Sequence, residues 1–258
     1  MTRRIASIAA NTFREAIRDR VLYNLVLFAL LLVGAAVLFG QISIGIERIV
    51  VISLSLTAIS IFGIVIAIFI GIGLVSKEIE KKTLYTVLAR PVARWEFIVG
   101  KFTGLLQTLV VNAFFMTLGF YAALLYISRH FSRTDLYPFA AVYFIILQFV
   151  IITALALLFS SFSSPILSAL LSFGMFIIGT FSEDLRNFAS MSSGITHIAA
   201  TIAAYIVPDF SSLNVISQVA HDQAVSATLI WANTLYAFFY AGAALCAGIL
   251  IFERRNLK

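Results

Sequence analysis

The chain has 258 residues and a formal net charge of +6, and 61% of its residues are hydrophobic whereas only 12% are charged. A soluble globular domain carries roughly a quarter charged residues, so this composition excludes a soluble globular protein. The apolar residues come in runs of about 20, the length that a helix needs to cross about 30 Å of hydrocarbon. The sequence predicts an all-α integral membrane protein with a single transmembrane domain over 1–258.

The N-terminal segment, 1–21, is predicted to be an amphipathic elbow helix. Its apolar residues recur at helical spacing along one side, and basic residues occupy the other side. Such a helix lies in the membrane interface with its basic side toward anionic headgroups. The alternative is a lead-in that only orients the first span. The residues assigned to the interfacial helix are Arg3, Arg4, Phe13, Arg14, Ile17 and Arg18.

Six apolar stretches are predicted to be transmembrane helices. A further apolar stretch, 195–207, ends at Pro208 and is too short to cross, so we expect an interfacial or partly re-entrant helix there. It belongs to the segment 182–226, which is expected to be extracytoplasmic or re-entrant. The predicted spans are 22–42, 50–75, 102–127, 138–160, 164–181 and 227–251.

The distribution of basic residues predicts the orientation. With six spans, fourteen of the 18 Lys and Arg residues fall in 1–21, in 76–101 and after the last span. Because Lys and Arg concentrate in cytoplasmic segments, both termini are predicted to be cytoplasmic, in a multi-pass protein of the cell (inner) membrane. A seventh span over 195–207 is the alternative, but it would export the basic C-terminus.

Polar residues within the spans indicate what the bundle does not do. The predicted spans hold no Asp, Glu, Lys, Arg or His at membrane depth, which argues against an ion-coupled carrier or a voltage sensor. Their uncharged polar residues are predicted to form interhelical hydrogen bonds rather than a transport site. These residues are Asn24, Gln107, Asn112, Gln148 and Asn233.

No residue is assigned to a catalytic, cofactor or metal site. Gly100-Lys101 is followed by Phe102 and lacks the upstream glycine of a phosphate-binding loop. The three histidines are scattered, and Cys246 is the single cysteine, which excludes an intramolecular disulfide. If the protein works against a gradient, the energy must come from another subunit. The histidines are His130, His197 and His221.

The interval 76–101 is the only long charged segment between spans. A connection between spans needs about two to eight residues, so this one is far longer than a hairpin requires. Good helix formers and a Glu78–Lys82 pair predict a helix up to Ala89, which Pro91 ends before a second helix restarts into the third span. The interval is therefore predicted to be a cytoplasmic helix–turn–helix that contacts a partner. The alternative is a charged loop that only sets the topology.

The interval 76–101 contains a motif that also occurs in a known family. Its positions are Glu78, Ile79, Glu80, Thr83, Leu84, Leu88, Pro91, Val92, Arg94, Trp95, Glu96, Gly100 and Lys101, with Pro208-Asp209-Phe210, Asn214 and Phe252-Glu253-Arg254-Arg255 nearer the C-terminus. At these positions the chain resembles the permease subunits of ABC-2 type exporters, and within them the branch linked to multi-copper enzyme (nitrous-oxide reductase type) maturation. Two departures are Lys82, where the family pattern has Gly, and Ala93, where it has Ser.

The resemblance implies an ATP-driven transporter in which this chain is a permease and not an enzyme. A separate ABC ATPase subunit would bind ATP and Mg²⁺, and a second permease copy or a paralogue would complete the complex. The first, second and fifth spans would line the substrate path, and no nucleic acid is expected as a partner. The residues implied in coupling to the ATPase are Glu78, Glu80, Thr83, Leu84, Leu88, Pro91, Arg94 and Trp95.

Two other classes of function stay open. A non-transporting scaffold that anchors an ATPase or a metalloenzyme assembly factor would share the coupling segment. An energy-independent channel or secondary carrier would need intramembrane charge or a filter, which the sequence lacks. Co-purification with an ATPase separates the first two classes from the third, and substrate-stimulated hydrolysis separates a transporter from a scaffold.

Overall fold

The computed structural model describes residues 2–43, 45–80, 93–128 and 132–254. These residues form ten α-helices and one short 3-10 helix, Arg133–Leu136, and they contain no strand. The helices are α1 (Thr2–Ile17), α2 (Arg20–Ile42), α3 (Glu47–Glu80), α4 (Arg94–Ser128), α5 (Tyr137–Phe162), α6 (Pro165–Thr180), α7 (Ser182–Met191), α8 (Ile195–Ile206), α9 (Ile216–Ala220) and α10 (Ala227–Arg254).

Five helices of the described chain are long and apolar enough to cross a membrane, namely α2, α3, α4, α5 and α10. The number rises to six if α6 and α7, which meet at a bend of 65°, count as one broken span rather than a re-entrant loop. The chain is therefore a multi-pass helical membrane protein, as predicted. The predicted count of six depends on that bent pair, because α6 alone has 16 residues and measures only about 24 Å.

The helix α5 forms the centre of the bundle. Of its most apolar window, 72% of the residues are buried, against 22% for α2 and 28% for α10. Close packing against α3 depends on Gly63, where an added Cβ would overlap the ring of Phe149. A helix that is buried on most sides needs apolar residues nearly all round, and α5 is correspondingly apolar from Tyr137 to Phe159 except at Gln148 and Thr153.

The chain alternates between two ends of the bundle. At one end, which we call the terminal end, the first turn of α4 contacts both the start of α1 and the last turn of α10. At the opposite end, Arg48 at the start of α3 forms ion pairs with Asp135 and Asp222, which precede α5 and α10. The first described helix and the end of the last one therefore lie at the same end.

The surface helix α1 packs against α4 through small residues. Ala9, Thr12 and Ala16 are buried, whereas the arginines of α1 that the structure describes are exposed. Gly104 allows this contact, because an added Cβ would lie 2.5 Å from the carbonyl oxygen of Ala9. Small residues let two helix backbones approach closely, and they fix α1 across the start of α4.

Two helices continue far beyond their apolar parts. The helix α3 has 34 residues and α4 has 35, so each measures about 51 Å or more, against a hydrocarbon core of about 30 Å. Sequence reasoning ended the second span at 75, which agrees with an apolar span that ends at Gly73, and it began the coupling helix at Glu78. That starting point is wrong, because Glu78 lies in the last turn of α3, which is continuous from Glu47 to Glu80. Good helix formers follow the apolar residues without a break.

Between α6 and α10 the chain forms a helical hairpin and an irregular loop. The short helix predicted over 195–207 is found as α8, and Gly194, at φ 64°, makes the turn between α7 and α8. Loop 207–215 then enters the bundle, where Gln148 of α5 donates a hydrogen bond to the carbonyl of Leu213. Gln148 lies about 16 Å along α5 from Tyr137, so the loop reaches well below the opposite end.

Candidate coupling site at the terminal end and polar cavity in the bundle

The helices α3 and α4 extend together at the terminal end. Gly71 of α3 packs on Leu105 of α4, where an added Cβ would lie 3.0 Å from Leu105 Cδ2. From this contact, α3 runs about 14 Å further to Glu80, and α4 runs back about 17 Å to Arg94. The charged interval of the sequence is therefore carried by two long helices that continue directly from the bundle.

The predicted coupling residues divide into three groups. Glu78 and Glu80 lie in the last turn of α3, and Arg94 and Trp95 lie in the first turn of α4. The other four fall outside the described residues. They are Thr83, Leu84, Leu88 and Pro91.

Glu96 caps the start of α4 and contacts α1. Its carboxylate accepts a hydrogen bond from the backbone N–H of Ala93 at 3.1 Å, and its Oε2 lies 4.0 Å from Arg4 Nη1. A glutamate in the third helical position satisfies a backbone donor and complements the positive end of the helix dipole. The side chain is only 3% exposed. Glu96 therefore holds the start of α4 and the start of α1 together.

Lys101 makes a second contact between α4 and α1. Its Nζ lies 3.6 Å from Glu15 Oε2 and 5.6 Å from the centroid of the Phe97 ring. The lysine is 2% exposed, whereas the Glu15 side chain is 44% exposed. A buried ammonium group needs a carboxylate or an aromatic face nearby, and α1 and α4 provide one of each.

Arg94 joins α4 to the end of α10. Its Nη1 donates to the carbonyl oxygens of Phe252 at 2.8 Å and of Glu253 at 2.9 Å. The Phe252 ring, 1% exposed, stacks on the Phe97 ring with 6.2 Å between their centroids. The last four carbonyls of a helix have no partner within the helix, so an arginine there satisfies them and complements the helix dipole.

Sequence reasoning missed these pairings within the chain. It grouped Arg94 with residues that contact a partner, and it did not assign Glu96, Lys101 or Phe252 a role. The resemblance carried a signal for all three, because the family motif includes Glu96, Lys101 and the C-terminal Phe252-Glu253. The resemblance did not show that the motif at the start of α4 contacts the motif at the end of α10.

A cavity of about 280 Å³ lies on the side of the bundle between α3 and α6. Its inner wall carries Gln148, whose Oε1 accepts a hydrogen bond from the Ser60 hydroxyl at 2.8 Å. The cavity therefore combines apolar walls with a few polar groups at the depth of the apolar helices. It is lined by Thr57, Ser60, Ile61, Gln148, Phe176, Ile177, Thr180, Phe181, Phe210, Asn214 and Ile216.

Asp209 organises the loop next to this cavity. Its carboxylate accepts hydrogen bonds from the Ser182 hydroxyl at 2.6 Å and the Ser212 N–H at 3.1 Å, and it pairs with Arg186 at 2.7 Å. Burial raises the pKa of this carboxyl, but these hydrogen bonds and the arginine outweigh burial, so its pKa lies below the ordinary 3.8. The backbone N–H of Asp209 donates to the Tyr236 hydroxyl of α10.

The polar residues predicted to make interhelical hydrogen bonds have four outcomes. The prediction is confirmed for Gln148, which bonds to Ser60 of α3, whereas Asn233 bonds instead to Ser212 in loop 207–215. Asn112 is buried, and its Nδ2 finds no hydrogen-bond partner among the described residues. Asn24 and Gln107 are exposed on the single chain. The polar side chains of the spans therefore form hydrogen bonds with loop 207–215 as well as with other spans.

Within the described ranges, no group of three or more His, Cys, Asp and Glu residues could hold a metal ion. His197 contacts the carbonyl oxygen of Ala189 through Nδ1 at 2.7 Å, and His221 contacts that of Ser217 at 2.8 Å. His130 lies outside the described residues. Each described histidine is therefore bound to the backbone of its own neighbourhood.

The architecture is that of a multi-pass helical membrane protein with long helical extensions at one end. A family model described as ABC-2 family transporter protein matches residues 6–257. The chain belongs to this family and is a membrane component of an ABC transporter that does not itself hydrolyse ATP. Membership implies partnership with an ABC ATPase and with the membrane. Comparison with curated proteins found no match.

Proposed function

We propose that the chain is the permease subunit of an ATP-driven ABC-2 exporter in the cell (inner) membrane, with both termini cytoplasmic. The observation that carries this proposal is the joint extension of α3 and α4 beyond the length of a bilayer. A connection that only returned the chain through the membrane would need neither extension. A rigid protrusion at the end with most of the basic residues suits a surface that receives force from an ATPase.

In this proposal, the segment 76–101 is the coupling element. The ATPase subunit binds ATP and Mg²⁺, and its open and closed states make different contacts with this element. A ligand-driven change needs such differential contacts to shift the permease between states. The contacts of Arg94 and Glu96 with α10 and α1 support the proposal, because they attach the element firmly to the rest of the chain.

The substrate path is proposed to run between two permease subunits, the second being another copy or a paralogue. The helices α2, α3 and α6 would line it. Three observations support this: the low burial of α2, the cavity between α3 and α6, and the mixed apolar and polar walls of that cavity. Such walls suit amphiphilic cargo, since apolar surfaces bind the body and a few polar groups orient it.

The helix α1 is proposed to lie in the cytoplasmic membrane interface. Its exposed arginines and its buried small residues support this placement, because a basic exposed side attracts anionic headgroups. The segment 182–226 is proposed to be extracytoplasmic and partly re-entrant. There it would act on cargo or on a maturation factor, as the resemblance to the copper-enzyme branch suggests.

The test is affinity purification of the tagged chain from membranes, followed by an ATPase assay on the co-purified proteins. We expect a stoichiometric ATPase subunit, and we expect Glu78→Lys to lower its turnover severalfold without affecting membrane insertion. The matched control is Glu183→Lys, the same charge reversal at an exposed residue of α7. A clean oligomer with no ATPase partner in mild detergent would overturn the proposal.

A further inference from the structure

We propose that Arg94 is a positioning residue that makes the end of α10 move with the first turn of α4. The inference rests on the proposed function, because it concerns how motion of the coupling element reaches the bundle. Its starting point is the pair of hydrogen bonds from Arg94 Nη1 to the carbonyl oxygens of Phe252 and Glu253. These residues lie 158 and 159 positions further along the chain.

Several different contacts hold Arg94 and the end of α10 together. The guanidinium group lies over the Phe252 ring, 5.9 Å from its centroid, in addition to its bonds to the carbonyls. Phe252 also packs with Phe97 and Ile98 of α4 in a buried apolar cluster of its own. A planar guanidinium can donate two hydrogen bonds and stack on a ring at once, which a lysine cannot do as well.

The first three turns of α4 are also joined to α1. Glu96 lies between Arg4 and the backbone N–H of Ala93, and Gly104 lies against Ala9 of α1. The start of α4 therefore holds one helix on each side of it. A displacement of Arg94 and Trp95 by the coupling element must carry α10 with it, or break a buried set of contacts.

This role differs from docking on the ATPase. If Arg94 docked the ATPase directly, its loss would reduce association of the two subunits. If Arg94 positions α10, its loss leaves association intact and interrupts the motion of α10. Loss of Phe252 would then have the same effect as loss of Arg94.

The chain contains a natural reporter for α10. Cys246 is its only cysteine, is exposed, and lies about two turns before Phe252. The permease is labelled at Cys246 with bimane and then reconstituted with its ATPase subunit. The fluorescence is compared with ADP and with ATP plus vanadate. We expect a nucleotide-dependent change in the unsubstituted chain.

The variants separate positioning from docking. Arg94→Ala and Phe252→Ala should each reduce the fluorescence change at least twofold while the ATPase stays bound. Their kcat for ATP hydrolysis should fall and their KM for ATP should not change. Arg94→Lys should restore part of the signal, because an ammonium group can still donate to the carbonyls. Arg133→Ala, which removes an exposed arginine at the opposite end, should behave like the unsubstituted chain.

Each contrary result overturns a defined statement. If no ATPase associates with the unsubstituted chain, the proposed function fails. If the ATPase associates but the Cys246 signal does not respond to nucleotide, or responds in Arg94→Ala and Phe252→Ala as strongly as in the unsubstituted chain, the positioning role is wrong. If Arg94→Ala alone loses the ATPase, Arg94 is a docking residue. Should Phe252→Ala fail to fold, Phe252→Leu removes the ring and keeps the apolar contact.

Discussion

The two ends of the molecule use buried charge for different purposes. At the terminal end, charged residues of α4 join whole helices: Glu96 and Lys101 contact α1, and Arg94 contacts α10. At the opposite end, charged residues hold irregular chain: Arg48 binds Asp135 and Asp222, and Asp209 binds Arg186. The first arrangement suits helices that move together, and the second suits a fixed loop.

The difference follows from the backbone at each end. A helix satisfies its own backbone hydrogen bonds except at its first and last turns. The charged side chains at the terminal end of the bundle are therefore available for contacts between helices. Loop 207–215 enters the bundle without a helix, and each of its polar groups needs a partner there. Gln148, Asn233, Tyr236 and Tyr240 supply such partners to the loop and to the end of α8.

The largest effect is expected at the opposite end, from Asp209→Ala. Removing the carboxylate leaves Ser182, the Ser212 N–H and Arg186 without their shared acceptor. Because the Arg186 side chain is about half exposed, most of the cost comes from losing the hydrogen bonds to a charged acceptor, and we expect a loss of about 3 kcal/mol of unfolding free energy. Thermal unfolding in detergent measures the loss, with exposed Asp184→Ala as the control. Equal losses in both variants would show that Asp209 does not anchor the loop.

A somewhat smaller effect is expected at the terminal end, from Gly104→Ala. The new Cβ would lie 2.5 Å from the Ala9 carbonyl oxygen, so α1 must move away from α4. Overpacking of this kind costs about 1–3 kcal/mol. Gly34→Ala is the control, because no atom lies within 4 Å of its Cβ position. Unfolding by heat should separate the variants, and the idea of a close helix contact fails if both behave alike.

Much of the fold was accessible from the sequence because it depends on local patterns. Long apolar runs located the helices, and the prolines at 165 and 208 marked where α6 begins and where α8 ends. The continuous α3 was missed because charged helix formers after Ser76 look like a new element when hydropathy alone sets the boundary. Composition changes there, but the backbone conformation does not.

The site was less accessible, because it depends on which helix faces meet. The periodicity of α4 does not indicate that Arg94 contacts Phe252 or that Lys101 contacts Glu15. Asp209 likewise looks like one polar residue after a proline. Its role is visible only when the contacts from α7, from its own loop and from α10 are known. The coupling role of all eight predicted residues stays a prediction, and the four that fall in 81–92 lie outside the described residues.

A further effect at the terminal end concerns Lys101 and Glu15. Glu15→Gln removes the carboxylate that lies 3.6 Å from a nearly buried ammonium group. We expect a loss of about 1 kcal/mol, because Glu15 itself is partly exposed and the pair is partly screened. Adding Lys101→Met removes the buried charge as well, so the double variant should recover part of that loss.

A double-mutant cycle on thermal unfolding checks this expectation, and Lys101→Met alone completes it. If the effects of Glu15→Gln and Lys101→Met simply add, the two side chains do not interact, and the attachment of α1 to α4 depends on the small residues alone. If Lys101→Met is less destabilising in the Glu15→Gln background than in the unsubstituted chain, the terminal end contains a true charge pair between the surface helix and the bundle.

The smallest effect is a pH dependence confined to the opposite end. Because the pKa of Asp209 is lower in the folded protein than its ordinary 3.8, the unfolded chain binds a proton there first. Its contribution to stability is therefore complete above about pH 4 and is lost as the pH falls through the lowered value. Unfolding temperatures should show a steeper acid decline for the unsubstituted chain than for Asp209→Asn. A parallel decline would assign the acid sensitivity to other carboxylates, and the comparison of the two ends would then rest on geometry alone.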